Sequence, residues 1–165
     1  MPATAKQSLY SRINNENDTD FNDVNTQMSA PAPFSNTDVS LRNTTILLTG
    51  VQAHGKTGSV RFYYNRKPFS ALTGNSPVEL EWGPEQRIVD LIPKLNTLFN
   101  IQLVESDLID AGLPDHDEGF TSFSIVAASD SYGWTGSFIV NLQAPPSNIE
   151  NEVGDTDIGD EGTGQ

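Results

Sequence analysis

Residues 50–57 carry the letters GVQAHGKT, which match the phosphate-binding P-loop pattern G-x-x-x-x-G-K-[ST]. In a P-loop the glycines allow backbone N–H groups to turn towards the phosphates. The lysine reaches the outer phosphates, and the last hydroxyl binds Mg²⁺. The pattern would give Lys56 and Thr57 these two roles. The apolar run at residues 44–49 fits the strand that precedes such a loop.

The residues that follow the motif do not fit the helix that a P-loop requires. That helix has to begin near Lys56 and Thr57, so that its N-terminus faces the anion. Residues 58–66 instead read GSVRFYYNR, and Pro68 comes soon after. Valine and aromatic residues favour a strand, whereas an early glycine and a proline disfavour a helix. The sequence therefore predicts strand–turn–strand, and the alternative is a P-loop-type nucleotide-binding protein using Lys56 and Thr57.

Half of the motif recurs later in the chain. Residues 55–59 read GKTGS and residues 133–137 read GWTGS, each followed by apolar residues. A tryptophan replaces the lysine in the second copy, which suggests that both copies are turns. We predict two hairpins, at residues 44–66 and 119–143, that are similar to each other.

The other polar clusters predict neither a catalytic residue nor a cofactor-binding residue nor a metal ligand. The acidic run at residues 115–118 follows a proline and is expected to be a solvated loop tip. Residues 18–23 and 155–160 begin like calcium loops, but both fail that pattern. His54 is expected on the surface of a turn.

Composition limits the classes of function. The chain has 165 residues, of which 36% are hydrophobic, and no cysteine, so it predicts one domain plus tails without disulfides. Its net charge of −13 disfavours nucleic acid as a direct partner. No apolar run approaches the ~18 residues of a membrane span, and the N-terminus has no apolar signal segment.

The charge and polarity divide the chain into three parts. Residues 1–43 are polar and predict an extended N-terminal arm. Residues 44–143 predict an α+β core. Residues 144–165 have a charge of −6, contain no Lys or Arg, and predict an acidic C-terminal tail.

The predicted core is an antiparallel sheet of the two hairpins packed on one helix, with the long extended arms outside it. The helix should open near Pro84, restart or kink at Pro93 and end at Asn100. One helical turn is expected at residues 106–110. Strands are expected at about 44–50, 58–66, 78–82, 119–127 and 136–143.

Four segments of the core resemble a small domain found in virion structural proteins of large tailed bacteriophages. They are GSVRFYYNR at residues 58–66, IPKLN at 92–96, QLVESDL at 102–108 and YGWTGSF at 132–138. The resemblance covers residues 44–143 and implies a non-enzymatic assembly subunit of the virion, either a capsid decoration or minor capsid protein or a tail-associated one. It implies no small-molecule substrate and no membrane, and carries no catalytic residues.

The partners expected on this basis are other virion proteins, in many copies on a lattice. The N-terminal arm would lie along neighbours, so that deletion of residues 1–40 would leave a folded core that no longer joins the particle. A carbohydrate- or receptor-binding module using Trp134 and nearby tyrosines is a further alternative. The predicted interface residues are Tyr10, Ile13, Phe21, Phe34 and Trp134.

Overall fold

A computed structural model describes residues 2–35, 41–114, 120–144 and Gly154. The acidic cluster at 115–118 and nearly all of the predicted C-terminal tail lie outside these residues. No helix in the described part is long and apolar enough to cross a membrane. The elements are α1 (Ala5–Asn17), β1 (Thr26–Met28), β2 (Ala32–Pro33), β3 (Thr44–Gly50), β4 (Ser59–Tyr64), β5 (Lys67–Pro68), α2 (Ser70–Thr73), β6 (Val78–Glu81), α3 (Ile92–Phe99), β7 (Phe120–Val126), β8 (Trp134–Thr135) and β9 (Ser137–Gln143), with 3₁₀ turns at Gln52–His54, Ile88–Leu91 and Glu105–Asp107.

The first sheet is built around β3. This strand pairs antiparallel with β1 and β2 on one side and with β4 on the other. Because side chains alternate along a strand, Ile46 faces one side of the sheet and Thr45 the other. Ile46 and Tyr64 form a buried cluster with Leu9 and Ile13 of α1. Helix α1 therefore covers the inner face of this sheet.

The prediction of an extended N-terminal arm is wrong for the described residues before 36. They form α1, β1 and β2, and both strands belong to the same sheet as β3. Leu9 and Ile13 are four residues apart and so share one face of a helix. Thr4 starts that helix with a capping box, in which its hydroxyl accepts from the Gln7 amide. The polar composition concealed this single apolar stripe.

The second sheet has the order β6–β9–β7. β7 and β9 are antiparallel, whereas β6 runs parallel to β9. The inner face of this sheet supplies Ile125 and Val140, both 0% exposed, to a core that also contains Phe69 from the N-terminus of α2 and Leu95 from α3. A short parallel pair, β5 with β8, forms a third pairing.

The fold-class prediction is confirmed: the chain is α+β with mostly antiparallel pairing and a few helices. One detail differs from the prediction of a single sheet: the two hairpins lie in separate sheets. The first hairpin is covered by α1 and the second packs on α3, so each has its own apolar cluster. Since α1 was not predicted, a single sheet on a single helix was the simplest expectation.

The helix between β6 and β7 in the chain restarts at Pro93, as predicted. A 3₁₀ turn over Ile88–Leu91 leads directly into α3, which has Pro93 in its first turn. Asn100 ends α3 in the left-handed conformation at φ 53°. The predicted start at Pro84 is wrong, because the carboxylate of Asp90 accepts from the Arg87 amide at 2.9 Å and begins the helical segment there.

Candidate functional site

Residues 50–57 form the turn between β3 and β4, which confirms the strand–turn–strand prediction. A 3₁₀ turn over Gln52–His54 is followed by β4 at Ser59, so no helix begins at Lys56. The backbone amides of the loop bond to neighbouring carbonyls and do not converge on an anion. The N–H groups of Gly50, Val51, His54, Gly55 and Lys56 donate to carbonyl oxygens at 2.8, 2.9, 2.9, 3.0 and 3.3 Å.

The lysine of the motif has a structural partner. Lys56 Nζ lies 3.0 Å from Asp20 Oδ1 and 5.6 Å from the centre of the Phe21 ring. These contacts fasten the hairpin turn to the loop after α1. His54 is exposed in the same turn, as predicted. In the described ranges no group of three or more His, Asp or Glu residues could hold a metal ion.

A cleft of about 480 Å³ lies between α1 and the turn at residues 132–134. One wall is a face of α1, where Ala5, Ser8 and Arg12 recur at the three- and four-residue spacing of a helix. The opposite wall contains Lys67 and Trp134, which are register partners in the β5–β8 pair. The cleft is therefore built from the N-terminal helix and the second GxTGS turn.

Gly133 brings these two walls together. A Cβ atom at this position would lie 2.7 Å from the Cβ of Ala5, closer than side chains approach each other. The Gly133 carbonyl accepts from the Lys67 amide at 2.9 Å, which fixes the turn to β5. The glycine of the second turn is thus needed for contact with α1.

The aromatic residues of the cleft are held by specific contacts. The Trp134 ring stacks on Phe69, with centroids 5.4 Å apart and planes at 15°. Tyr64 Oη donates to the Tyr132 carbonyl at 2.7 Å, and Tyr132 Oη donates to the Ser29 carbonyl at 3.1 Å. Burial raises the pKa of Tyr64 and of Tyr132 above the ordinary value of 10.0, so both phenols are neutral near pH 7.

The cleft carries positive charge in a strongly acidic chain. Arg12 and Lys67 line it, and no Asp or Glu is among the lining residues in the described part of the chain. Ion pairs between described residues use other cations, and none of them includes Arg12 or Lys67. These pairs are Lys6–Asp23, Lys56–Asp20, Arg87–Asp110 and Lys94–Glu85, at 2.7, 3.0, 2.7 and 2.9 Å.

A buried polar network lies next to the cleft and links the two sheets. Arg66 is 7% exposed, and its guanidinium donates to Thr44 Oγ1 at 3.0 Å and to the carbonyls of Ser129 and Ser131 at 2.9 and 3.1 Å. The Ser131 hydroxyl in turn donates to the buried carboxylate of Asp107 at 2.7 Å. The network ties β3 and β4 to the loop that carries the 132–134 turn.

The predicted interface residues occupy different environments. Tyr10 and Ile13 are 7% and 6% exposed and pack within their own chain, so a neighbour can reach them only if α1 undocks. Phe21 and Trp134 are half-buried against the two cores. Phe34 is half-buried, and its ring lies 4.7 Å from that of Tyr63 on the outer face of the first sheet.

Sequence reasoning missed Arg12, Lys67 and Arg66. Arg12 had no assigned place because α1 was not predicted. Arg66 is buried and Lys67 is exposed, although the two are neighbours just after a strand. Nothing in the surrounding sequence distinguishes their environments. The cleft could have been predicted only by recognising that the second GxTGS turn packs against the capped helix α1.

The described residues thus define a small α+β protein with two main sheets, a short parallel strand pair, and a cleft lined by cationic and aromatic side chains. Residues 2–160 match the family of unknown function DUF7941, and the chain belongs to this family. No curated protein and no solved structure matches the chain.

Proposed function

We propose that the chain is a non-enzymatic structural subunit of a tailed-phage particle that binds other virion proteins through the outer face of its first sheet. The resemblance of residues 44–143 to virion domains supports the class of protein. The observation that carries the proposed contact is the aromatic pair of Phe34 and Tyr63 on that face.

The outer face has the composition of a protein interface. Tyr63 and Arg61 alternate with the inward residues Phe62 and Tyr64, and they lie opposite Thr45 and Leu47 of β3. Tyr63 is 39% exposed, and Arg61 is also exposed. Aromatic residues and arginine are enriched in interfaces, where a few of them contribute most of the binding energy.

Strand β4 adds a second means of contact. In the described part of the chain it pairs on one side only, with β3, so its other edge presents backbone donors and acceptors. A strand or extended arm of a neighbouring protein could pair with such an edge. Each contact can be weak, because a lattice multiplies many copies of it. The charge of −6 over residues 144–165 would help to keep free subunits soluble.

The test is the incorporation of variants into particles assembled in infected cells. The double variant Phe34→Ser with Tyr63→Ser should keep its thermal unfolding temperature within a few degrees but be depleted from gradient-purified particles. The control is Val24→Ser, which removes an apolar side chain that is 63% exposed in the turn before β1. Equal incorporation of both proteins would contradict the proposed contact.

A further inference from the structure

The cleft presents polar side chains that other described residues leave unpaired. Arg12 and Lys67 are exposed on its lining, and neither forms an ion pair within the described part of the chain. The side-chain amides of Asn100 and Gln102 also line it, and no described residue hydrogen-bonds to either amide. The volume of about 480 Å³ is in the range of known ligand sites, which is about 300–1,000 Å³.

The aromatic wall of the cleft is held in place by contacts within the chain. The ring of Trp134 stacks on Phe69, which is completely buried. The Tyr132 carbonyl accepts from the buried Tyr64 hydroxyl at 2.7 Å, so the backbone of the turn is fixed as well. A wall that is ordered before a ligand arrives loses little side-chain freedom on binding.

These groups together fit a sugar that carries one carboxylate. The face of an aromatic ring is partly negative and attracts the C–H groups of a pyranose ring. Side-chain amides both donate and accept hydrogen bonds, as sugar hydroxyls do. A guanidinium or an ammonium group binds a carboxylate through charge-assisted hydrogen bonds.

Other anions use fewer of these groups or meet more repulsion. Inorganic phosphate would leave the aromatic wall without a contact. A nucleotide carries several negative charges, which a chain with a net charge of −13 repels more strongly than a single carboxylate.

We propose that the cleft binds a saccharide with a single carboxylate, with the carboxylate at Arg12 and Lys67 and the sugar ring against Tyr132 and Trp134. This site is independent of the proposed virion contact, because neither Phe34 nor Tyr63 lines the cleft.

The test is a titration of the full ¹⁵N-labelled chain with acidic sugars and their neutral counterparts. The methyl glycosides of glucuronic acid, galacturonic acid and N-acetylneuraminic acid are the acidic probes. Methyl glucoside and methyl galactoside are the matched controls, since each has a hydroxymethyl group in place of the uronic carboxylate. At least one acidic probe should shift the amide signals of Ala5, Gln102 and Gly133 saturably, and its neutral counterpart should bind about fivefold more weakly. The indole signal of Trp82, which donates to the Leu142 carbonyl, should not move.

A pair of double variants tests the role of the two cations. Arg12→Gln with Lys67→Gln should weaken binding of the acidic sugar about fivefold and leave binding of the neutral sugar unchanged, because exposed ion pairs are individually weak. The control is Arg42→Gln with Arg61→Gln, which removes the same charge outside the cleft lining and should leave both affinities unchanged.

Several results would overturn the proposal. The first is that none of the three acidic probes shifts the cleft signals, and the second is that acidic and neutral sugars bind equally well. Equal losses of affinity in the two double variants would also contradict the assigned role of Arg12 and Lys67. If adenosine monophosphate or inorganic phosphate bound the cleft more tightly than every acidic sugar, the site would be one for nucleotides or for simple anions.

Discussion

At the scale of single residues, Arg66 is a charged side chain that lies almost completely buried. A guanidinium that is 7% exposed has to satisfy its donors inside the protein, and it does so with three oxygens from β3 and the 129–131 loop. Lysine is a point donor and cannot reproduce this planar fork. Arg66 therefore determines how the first sheet meets the loop that carries the cleft turn.

Replacing Arg66 by methionine should lower the free energy of unfolding by about 2–4 kcal/mol, because buried carbonyls and the Thr44 hydroxyl lose their donor. Urea denaturation followed by tryptophan fluorescence measures this loss. The control is Arg61→Met on the exposed outer face, which should change stability by less than about 0.5 kcal/mol. If the two variants lost stability equally, the buried network would have no special role.

The tyrosines predict how stability depends on pH. Burial raises the pKa of Tyr10, Tyr64 and Tyr132 above their ordinary value of 10.0. The unfolded chain therefore ionises first, so the stabilisation is complete below pH 10 and is lost as the pH rises through the folded-state values. Tyr64→Phe should reduce the slope of stability against pH above 10, measured by urea titrations at each pH. An identical slope in the variant and the unmodified chain would contradict this assignment.

At the scale of elements, α1 is the part of the fold that creates the cleft. It covers the inner face of the first sheet with Leu9 and Ile13, and β1 and β2 complete that sheet. Deletion of residues 1–40 would remove all three elements from β3. We therefore now expect this deletion to unfold the first sheet, whereas the sequence suggested that it would leave an intact core.

The docking of α1 can be tested at Gly133. Gly133→Ala places a methyl group 2.7 Å from Ala5 Cβ and should cost about 1–3 kcal/mol in stability. Adding Ala5→Gly should recover part of this loss, which a double-mutant cycle would show as a coupling of about 1 kcal/mol. Gly112→Ala is the control, because its Cβ would meet nothing within 4 Å. Additive effects at residues 5 and 133 would show that the two do not touch.

The sequence predicted the elements whose signals are local. Glycine, proline and asparagine restrict or permit particular backbone conformations at their own positions. These preferences account for the GxTGS turns, the restart at Pro93 and the end of α3 at Asn100. Helix α1 was missed because Leu9, Tyr10 and Ile13 are scattered among polar residues. The burial of Leu9 and Ile13 depends on Ile46 and Tyr64, more than 30 residues away. The parallel pairing of β6 with β9 has no local signal either.

At the scale of the whole molecule, charge is distributed unevenly. The net charge is −13, yet the described residues that line the cleft include Arg12 and Lys67 and no carboxylate. Residues 144–165, by contrast, hold six carboxylates and no Lys or Arg in the sequence. The outer face of the first sheet presents the aromatic pair of Phe34 and Tyr63 beside Arg61. These features suit a subunit that stays dispersed when free and joins neighbours through one face.

The central claim is that the chain is part of a tailed-phage particle, and quantitative mass spectrometry of purified particles tests it most directly. Particles should be separated on a density gradient from the lysate in which the chain is expressed, and its peptides compared with those of the major capsid protein. The account predicts that the chain bands with the particles at a fixed ratio of several copies each. Its recovery in the soluble fraction, with none in the particle band, would contradict the account.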